Sequence, residues 1–224
     1  MPVVLLTLCA LLSAMLYIVG LSLDLFWLKL LTKPWPVLAL GWWVWQCARP
    51  RERPIAWGLF AGALGDICLA LPNAFLPGMI AFAVGHALYV VGFVRRDRRP
   101  VPGLLLPVAV YATIGLILML PGAGALKIPL VGYVAIIALM IWRAAACAVS
   151  GRPLDWLPLA GALLFAFSDT LIGIHRFATP LPGAAIPIIL TYWAGQTLIA
   201  TSAIHQKSLI DATRGAISNS NSKT

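Results

Sequence analysis

The sequence predicts an all-α polytopic membrane protein with eight transmembrane helices and a weak parallel internal repeat, spans 3-4 matching spans 7-8. Three observations predict it. The 224-residue chain is 61% hydrophobic and only 10% charged, whereas a water-soluble chain carries about 25% charged residues. Its apolar residues form continuous runs near the ~20 residues that cross a bilayer core as a helix, not the alternating segments of about ten that build a membrane barrel. Two of these runs, "GLFAGALGDICLALP" (58–72) and "LAGALLFAFSDTLIGIH" (159–175), each hold a carboxylate, Asp66 and Asp169.

Cutting at charged and Pro/Gly-rich breaks sets the spans in order. Residues 3–22 form the first; they lack a basic leader and a small-residue cleavage site, so they read as a retained span. The second, 34–48, is short, and "TKPWP" blurs its start. Spans 55–72 and 75–94 are joined by the uncharged turn "PNAFLPG". The remaining four are 101–120, 128–149, 154–175 and 183–205. Residues 1–206 thus read as one domain, and 207–224, ending "ISNSNSKT", as a polar, disordered cytoplasmic tail. Cys9, Cys47, Cys68 and Cys147 are scattered without a CxxC pair, so they read as small core residues rather than a disulfide framework.

The net charge of +9 does not imply nucleic acid, because the basic residues sit in short loops between apolar runs. Arg49, Arg51, Arg53, Arg95, Arg96, Arg98, Arg99, Arg143, Arg152, Lys207, Arg214 and Lys223 fall on one side; Lys29, Lys33, Lys127 and Arg176 fall on the other. Such asymmetry marks the first side as cytoplasmic, so both termini are expected there, in a bacterial inner membrane.

A charge near the bilayer centre costs at least ~2.5–3.5 kcal/mol on insertion scales, and this chain accepts it twice. Asp66 to Tyr89 is 23 residues, and Asp169 to Tyr192 is again 23. His86 precedes Tyr89 by three positions and Gln196 follows Tyr192 by four, so each pair shares a helix face. The simplest packing gathers all six side chains into one pocket. Taken singly, His86, Tyr89, Tyr192 and Gln196 are explained equally well as interhelical stitches at about 0.6 kcal/mol each. Two aspartates are not, since Asn or Ser would stitch at lower cost. Lys33 and Arg176 alone read as interfacial snorkelers, and most of the nine tryptophans as belt anchors. No cluster with metal-ligand spacing occurs and no cofactor is called for. A proton-coupled transporter with paired carboxylates fits the same pattern. An intramembrane aspartyl protease fits less well, because the stretch Ala63-Leu64-Gly65-Asp66 lacks the first glycine of Gly-x-Gly-Asp. No G-x-S-x-G supports serine chemistry.

Four segments in their order, "GLFAGALGDICLAL", "FLPGMIAFAVGHALY", "AGALLFAFSDTLIGIHRF" and "TYWAGQTLIA", resemble the YhhN family of membrane proteins, which includes lysoplasmalogenases. Lys33-Pro34 resembles the basic-Pro pair that often opens that family's second span, and the likeness covers roughly residues 30 to 205. The resemblance implies an eight-helix hydrolase that cleaves the vinyl ether bond of a lysophospholipid substrate, releasing a fatty aldehyde and a glycerophospho-base. Asp66 and Asp169 would form its acid/base pair, holding one proton between them near neutral pH as close carboxyls do. His86, Tyr89, Tyr192 and Gln196 would orient them or bind substrate, and Lys33 would meet the lipid phosphate.

Overall fold

The computed structural model describes residues 3–149 and 154–221, with side chains for 4–149 and 154–205. Of the basic residues assigned to the richer side, Arg152, Lys207, Arg214 and Lys223 have side chains outside that set, as does the expected tail 207–224. The described residues form nine α-helices: α1 Val3–Ser22, α2 Phe26–Thr32, α3 Trp35–Cys47, α4 Arg53–Ala70, α5 Phe75–Arg96, α6 Leu105–Met119, α7 Lys127–Ala148, α8 Leu157–Phe177 and α9 Ala185–Asn221. Their ends follow local rules. Proline sits in the first two positions of α3, α4 and α8, where its missing N–H is unneeded. Leu71 turns extended immediately before Pro72 and closes α4, and Asn73 takes the left-handed conformation (φ 60°) that lets the chain reverse into α5.

The expectation of eight spans is not met. Among the described residues five helical segments are long and apolar enough to cross a membrane: Val4–Ser22, Phe75–Arg96, Pro102–Gly122, Gly124–Ala148 and Leu157–Phe177. The physical reasons differ by element. Expected span 34–48 is realised as α3, only 13 residues long, against the ~20 that a bilayer core requires. In α4, Arg53, Asp66 and three glycines dilute the hydropathy. In α9, Thr191, Tyr192, Gln196, Thr197, Thr201 and Ser202 dilute the hydropathy in the same way. The chain is nonetheless an integral, multi-spanning membrane protein, and α1 and α6 turn large apolar side chains such as Met15, Leu106 and Ile117 outward.

The tightest pairings are α4 with α5 and α8 with α9. Both rest on glycine meeting glycine. A Cβ on Gly161 would stand 2.8 Å from the Gly195 carbonyl oxygen, and one on Gly195 would stand 2.8 Å from that of Gly161. Gly58 and Gly85 relate α4 to α5 in the same way, at 3.0 Å in each direction. Small residues at a crossing let helices come close enough for dense packing where lipid offers no hydrophobic drive. We expect Gly161→Val to destabilise the fold by about 3 kcal/mol, the upper end for overpacking, because backbone cannot give way. Gly132, with nothing within 4 Å of its Cβ position, is the control. Thermal unfolding in detergent should show a large drop for Gly161→Val and none for Gly132→Ala.

Around these crossings the largest fully buried side chains, including Tyr89, Phe93, Phe165, Leu59, Met140 and Ile199, form the main core. One end of the bundle is closed by ion pairs. Glu52, 1% exposed, accepts Arg96 Nε at 2.9 Å and stands 2.8 Å from its Nη2 as an ion pair, while Arg96 Nη1 donates to Ser202 Oγ at 2.8 Å. Arg143 donates to the carbonyls of Asp97 and Arg99. The Arg99 guanidinium, hydrogen-bonded to Asp97, holds that carboxyl below its ordinary range.

Candidate active site

The two aspartates picked from the sequence lie toward the C-terminal ends of their helices. Asp66 is four residues before the end of α4 and is 1% exposed. Two donors hold it: the Lys33 ammonium, 3.1 Å from Oδ1, and the Tyr192 hydroxyl, 2.8 Å from Oδ2. Lys33 follows the short helix α2, which is fastened to α1 by Ser13 Oγ donating to the Thr32 carbonyl at 2.8 Å. A charge expected to meet a lipid phosphate is therefore directed at a carboxylate inside the protein.

Asp169 sits in the continuous helix α8, eight residues before its end. Its neighbour Ser168 donates to the Ile188 carbonyl at 2.9 Å, which fixes this turn of α8 against α9. Asp169 Oδ2 accepts from the Tyr133 hydroxyl of α7 at 2.8 Å, and His86 Nε2 stands 3.4 Å from the same oxygen. Among the described residues Oδ1 has no hydrogen-bond donor. His86 is fully buried, packed edge-on against Phe165 (4.6 Å) and Tyr133 (5.5 Å), and neither ring nitrogen has a hydrogen-bond partner there.

Tyr89 and Gln196 pair with each other: the tyrosine hydroxyl donates to Oε1 at 2.6 Å. Gln196 Nε2 lies over Gly62, so close that a Cβ on that glycine would stand 2.9 Å away. The matched 23-residue spacings thus do not become equivalent contacts. Tyr192 bonds an aspartate, while Tyr89 bonds an amide, because each hydroxyl takes the nearest acceptor across the helix crossing.

The six residues cluster but do not share one cavity. Phe165 stands among them, 5.2 Å from the Tyr192 ring and 6.5 Å from Tyr89, and meets Phe82 at 6.0 Å. On the α8 side opens an apolar cavity between α5, α6, α7 and α8; Asp169 lines it, and Asp66 does not. Three lining residues escaped the sequence analysis: Tyr133, Tyr111 and Thr170, the last two joined hydroxyl to hydroxyl at 2.5 Å. The available signal was a tyrosine well inside an apolar run, away from the interfacial belts where tyrosine usually sits.

The described helices form an integral, multi-spanning membrane protein with one buried carboxyl, Asp169, on the wall of an apolar cavity. The profile of the YhhN family matches residues 28–203, and the chain belongs to that family. It is 37% identical over 187 residues to the human "Lysoplasmalogenase TMEM86B", covering 81% of this chain and 77% of that one. It is 34% identical over 200 residues to the bovine "Lysoplasmalogenase TMEM86A" (83% and 82%) and 31% over 165 residues to the "Lysoplasmalogenase" of Mycobacterium bovis (68% and 62%). No solved structure matches.

Proposed function

We propose that the protein is an intramembrane hydrolase of lysoplasmalogens, splitting the vinyl ether bond to give a fatty aldehyde and a glycerophospho-base. The observation that carries this reading is Asp169: a buried carboxyl with one oxygen bonded to Tyr133, the other without a donor among the described residues, on the wall of an apolar cavity. The relatives' names supply the bond to be cut.

The roles divide by environment. Asp66, between an ammonium and a hydroxyl donor, is the ionised member. Asp169 carries the proton. It protonates the alkene carbon distal to the ether oxygen, the π pair forming the new C–H bond and leaving an oxocarbenium ion. The aspartate left behind takes a proton from the attacking water as that water bonds to the cation, the same group serving first as acid and then as base. The hemiacetal then collapses: Asp169 passes that proton to the glycerol oxygen as the C–O bond breaks, the hemiacetal hydroxyl gives its own proton back to Asp169 as the C=O bond forms, and aldehyde and alcohol leave with the acid regenerated. Asp66, off the cavity wall and partly offset by Lys33, acts on the cation only at a distance, through a medium where charge is weakly screened. Tyr133 holds Asp169 in position, with the His86 ring packed beside it; Tyr192 bonds Asp66, and Tyr89 and Gln196 pair next to it.

Lysophospholipid is the substrate class and no metal enters the scheme. The arginine-rich end, closed by the Glu52–Arg96 pair, is assigned to the cytoplasmic face of a bacterial inner membrane. The test is aldehyde release by purified protein in detergent from a vinyl ether lysophospholipid and from its saturated ether analogue. Release from the first alone is expected. A folded protein that releases nothing from either overturns the proposal.

A further inference from the structure

The cavity beside Asp169 is chemically lopsided. Its polar groups, Asp169, Thr170, Tyr111 and Tyr133, sit together at one end. From there Gly173 and Phe177 continue the same wall of α8, one and two turns farther, and the rise from Asp169 to Phe177 is about 12 Å. Along this length the wall is apolar. At the far end lies a satellite cluster separate from the main core, built around Met119 and Phe177. Phe75 stacks edge-on against Phe177 at 5.6 Å, and the Arg176 guanidinium covers Phe75 at 5.2 Å. Met119, only 4% exposed, rests its sulfur against Gly173 so closely that any Cβ there would collide with it.

Resting on the hydrolase reading above, we infer that this cavity is the compartment of the substrate's alkenyl chain, and that Met119, seated on Gly173, sets how long a chain it accepts. An unbranched hydrocarbon asks nothing of an apolar wall, whereas a glycerophosphate headgroup in the same space would lose its hydration without gaining hydrogen bonds. The occupant's reactive end must lie at Asp169, since the polar groups of the wall are gathered there. Its tail then runs toward Phe177, and Met119 stands in its way. Shortening Met119 lengthens the compartment. Adding a methyl at Gly173 drives the thioether into it. The two changes act in opposite directions.

The test uses lysophospholipids of one headgroup with vinyl ether chains from octenyl to octadecenyl, and their saturated ether analogues as ligands that cannot be cleaved. Aldehyde release and thermal stabilisation by the analogues are measured for wild type, Met119→Ala, Met119→Phe and Gly173→Ala. Relative to wild type, the ratio of long-chain to short-chain response should rise about tenfold in Met119→Ala and fall about tenfold in the other two, the low end of discrimination per methylene in an apolar pocket. Met119→Phe carries the shortening arm if Gly173→Ala does not fold. Length profiles that coincide in all folded variants overturn the inference even if the vinyl ether is cleaved. Opposite shifts in stabilisation without any cleavage uphold the chain compartment and sink the hydrolase reading instead.

Discussion

Asp169→Asn is expected to lower kcat by about 10²–10⁴-fold, the range that a positioned general acid contributes, with the fold intact. Asparagine is isosteric and still accepts the Tyr133 hydroxyl, which reaches Oδ2 at 2.8 Å in the native protein. The loss would therefore be of the proton and not of the architecture. Single-turnover aldehyde release measures the first quantity, and stabilisation by a saturated ether lysophospholipid measures whether the cavity still binds. A variant that turns over at the wild-type rate removes Asp169 from the chemistry; one that neither folds nor binds reports a structural role. Tyr133→Phe provides a graded comparison, since it removes a positioning bond and leaves the acid.

Lys33→Met should have the largest effect on stability. The ammonium is 3.1 Å from Asp66, and the two side chains are only 16% and 1% exposed. Removing one member of a buried ion pair leaves the other charge unanswered, which destabilises proteins by about 3–5 kcal/mol, while replacing both members with neutral groups of similar volume is often harmless. The double variant Lys33→Met/Asp66→Asn is thus expected to unfold at nearly the wild-type temperature, and Lys33→Met alone far below it. Turnover separates the roles further: it stays low in the stable double variant, because the charge that acts on the cation is gone. Additive losses of stability in the two single variants and their combination would show that the pair is not coupled.

Much of the candidate site was legible because polar atoms in an apolar run announce themselves. Asp66, Asp169, His86, Tyr89, Tyr192 and Gln196 could be picked out on that ground, and the structure brings them within one neighbourhood. Their partners could not. Tyr133 looks in sequence like any aromatic residue of a membrane helix, and its hydroxyl has meaning only where α7 crosses α8. Lys33 is marked by the family resemblance and not by its own surroundings in the sequence, and its partner, Asp66, is visible only once α2 turns it back upon α4. The count of spans failed for a different reason. Cutting at charged and Pro/Gly-rich breaks counts every apolar stretch as a span, whereas α3 has only 13 residues and the glycines and polar residues of α4 and α9 lower their mean hydropathy. The likeness of the four motif segments to the YhhN family, by contrast, depends on order and spacing along the chain, and the family match over residues 28–203 agrees with it.

The last helix meets polar groups from three places in the first half of the chain. Tyr192 answers Asp66, Gln196 answers Tyr89, and Ser202 answers part of Arg96. During synthesis those earlier residues enter the bilayer long before their partners emerge from the ribosome. Until α9 is made, the Tyr89 hydroxyl lacks its acceptor, and Asp66 and Arg96 hold only their earlier partners, Lys33 and Glu52. A product released before α9 stays in that state, and its unmet polar surface is the mark by which membrane proteases and chaperones can distinguish an unfinished protein from a finished one.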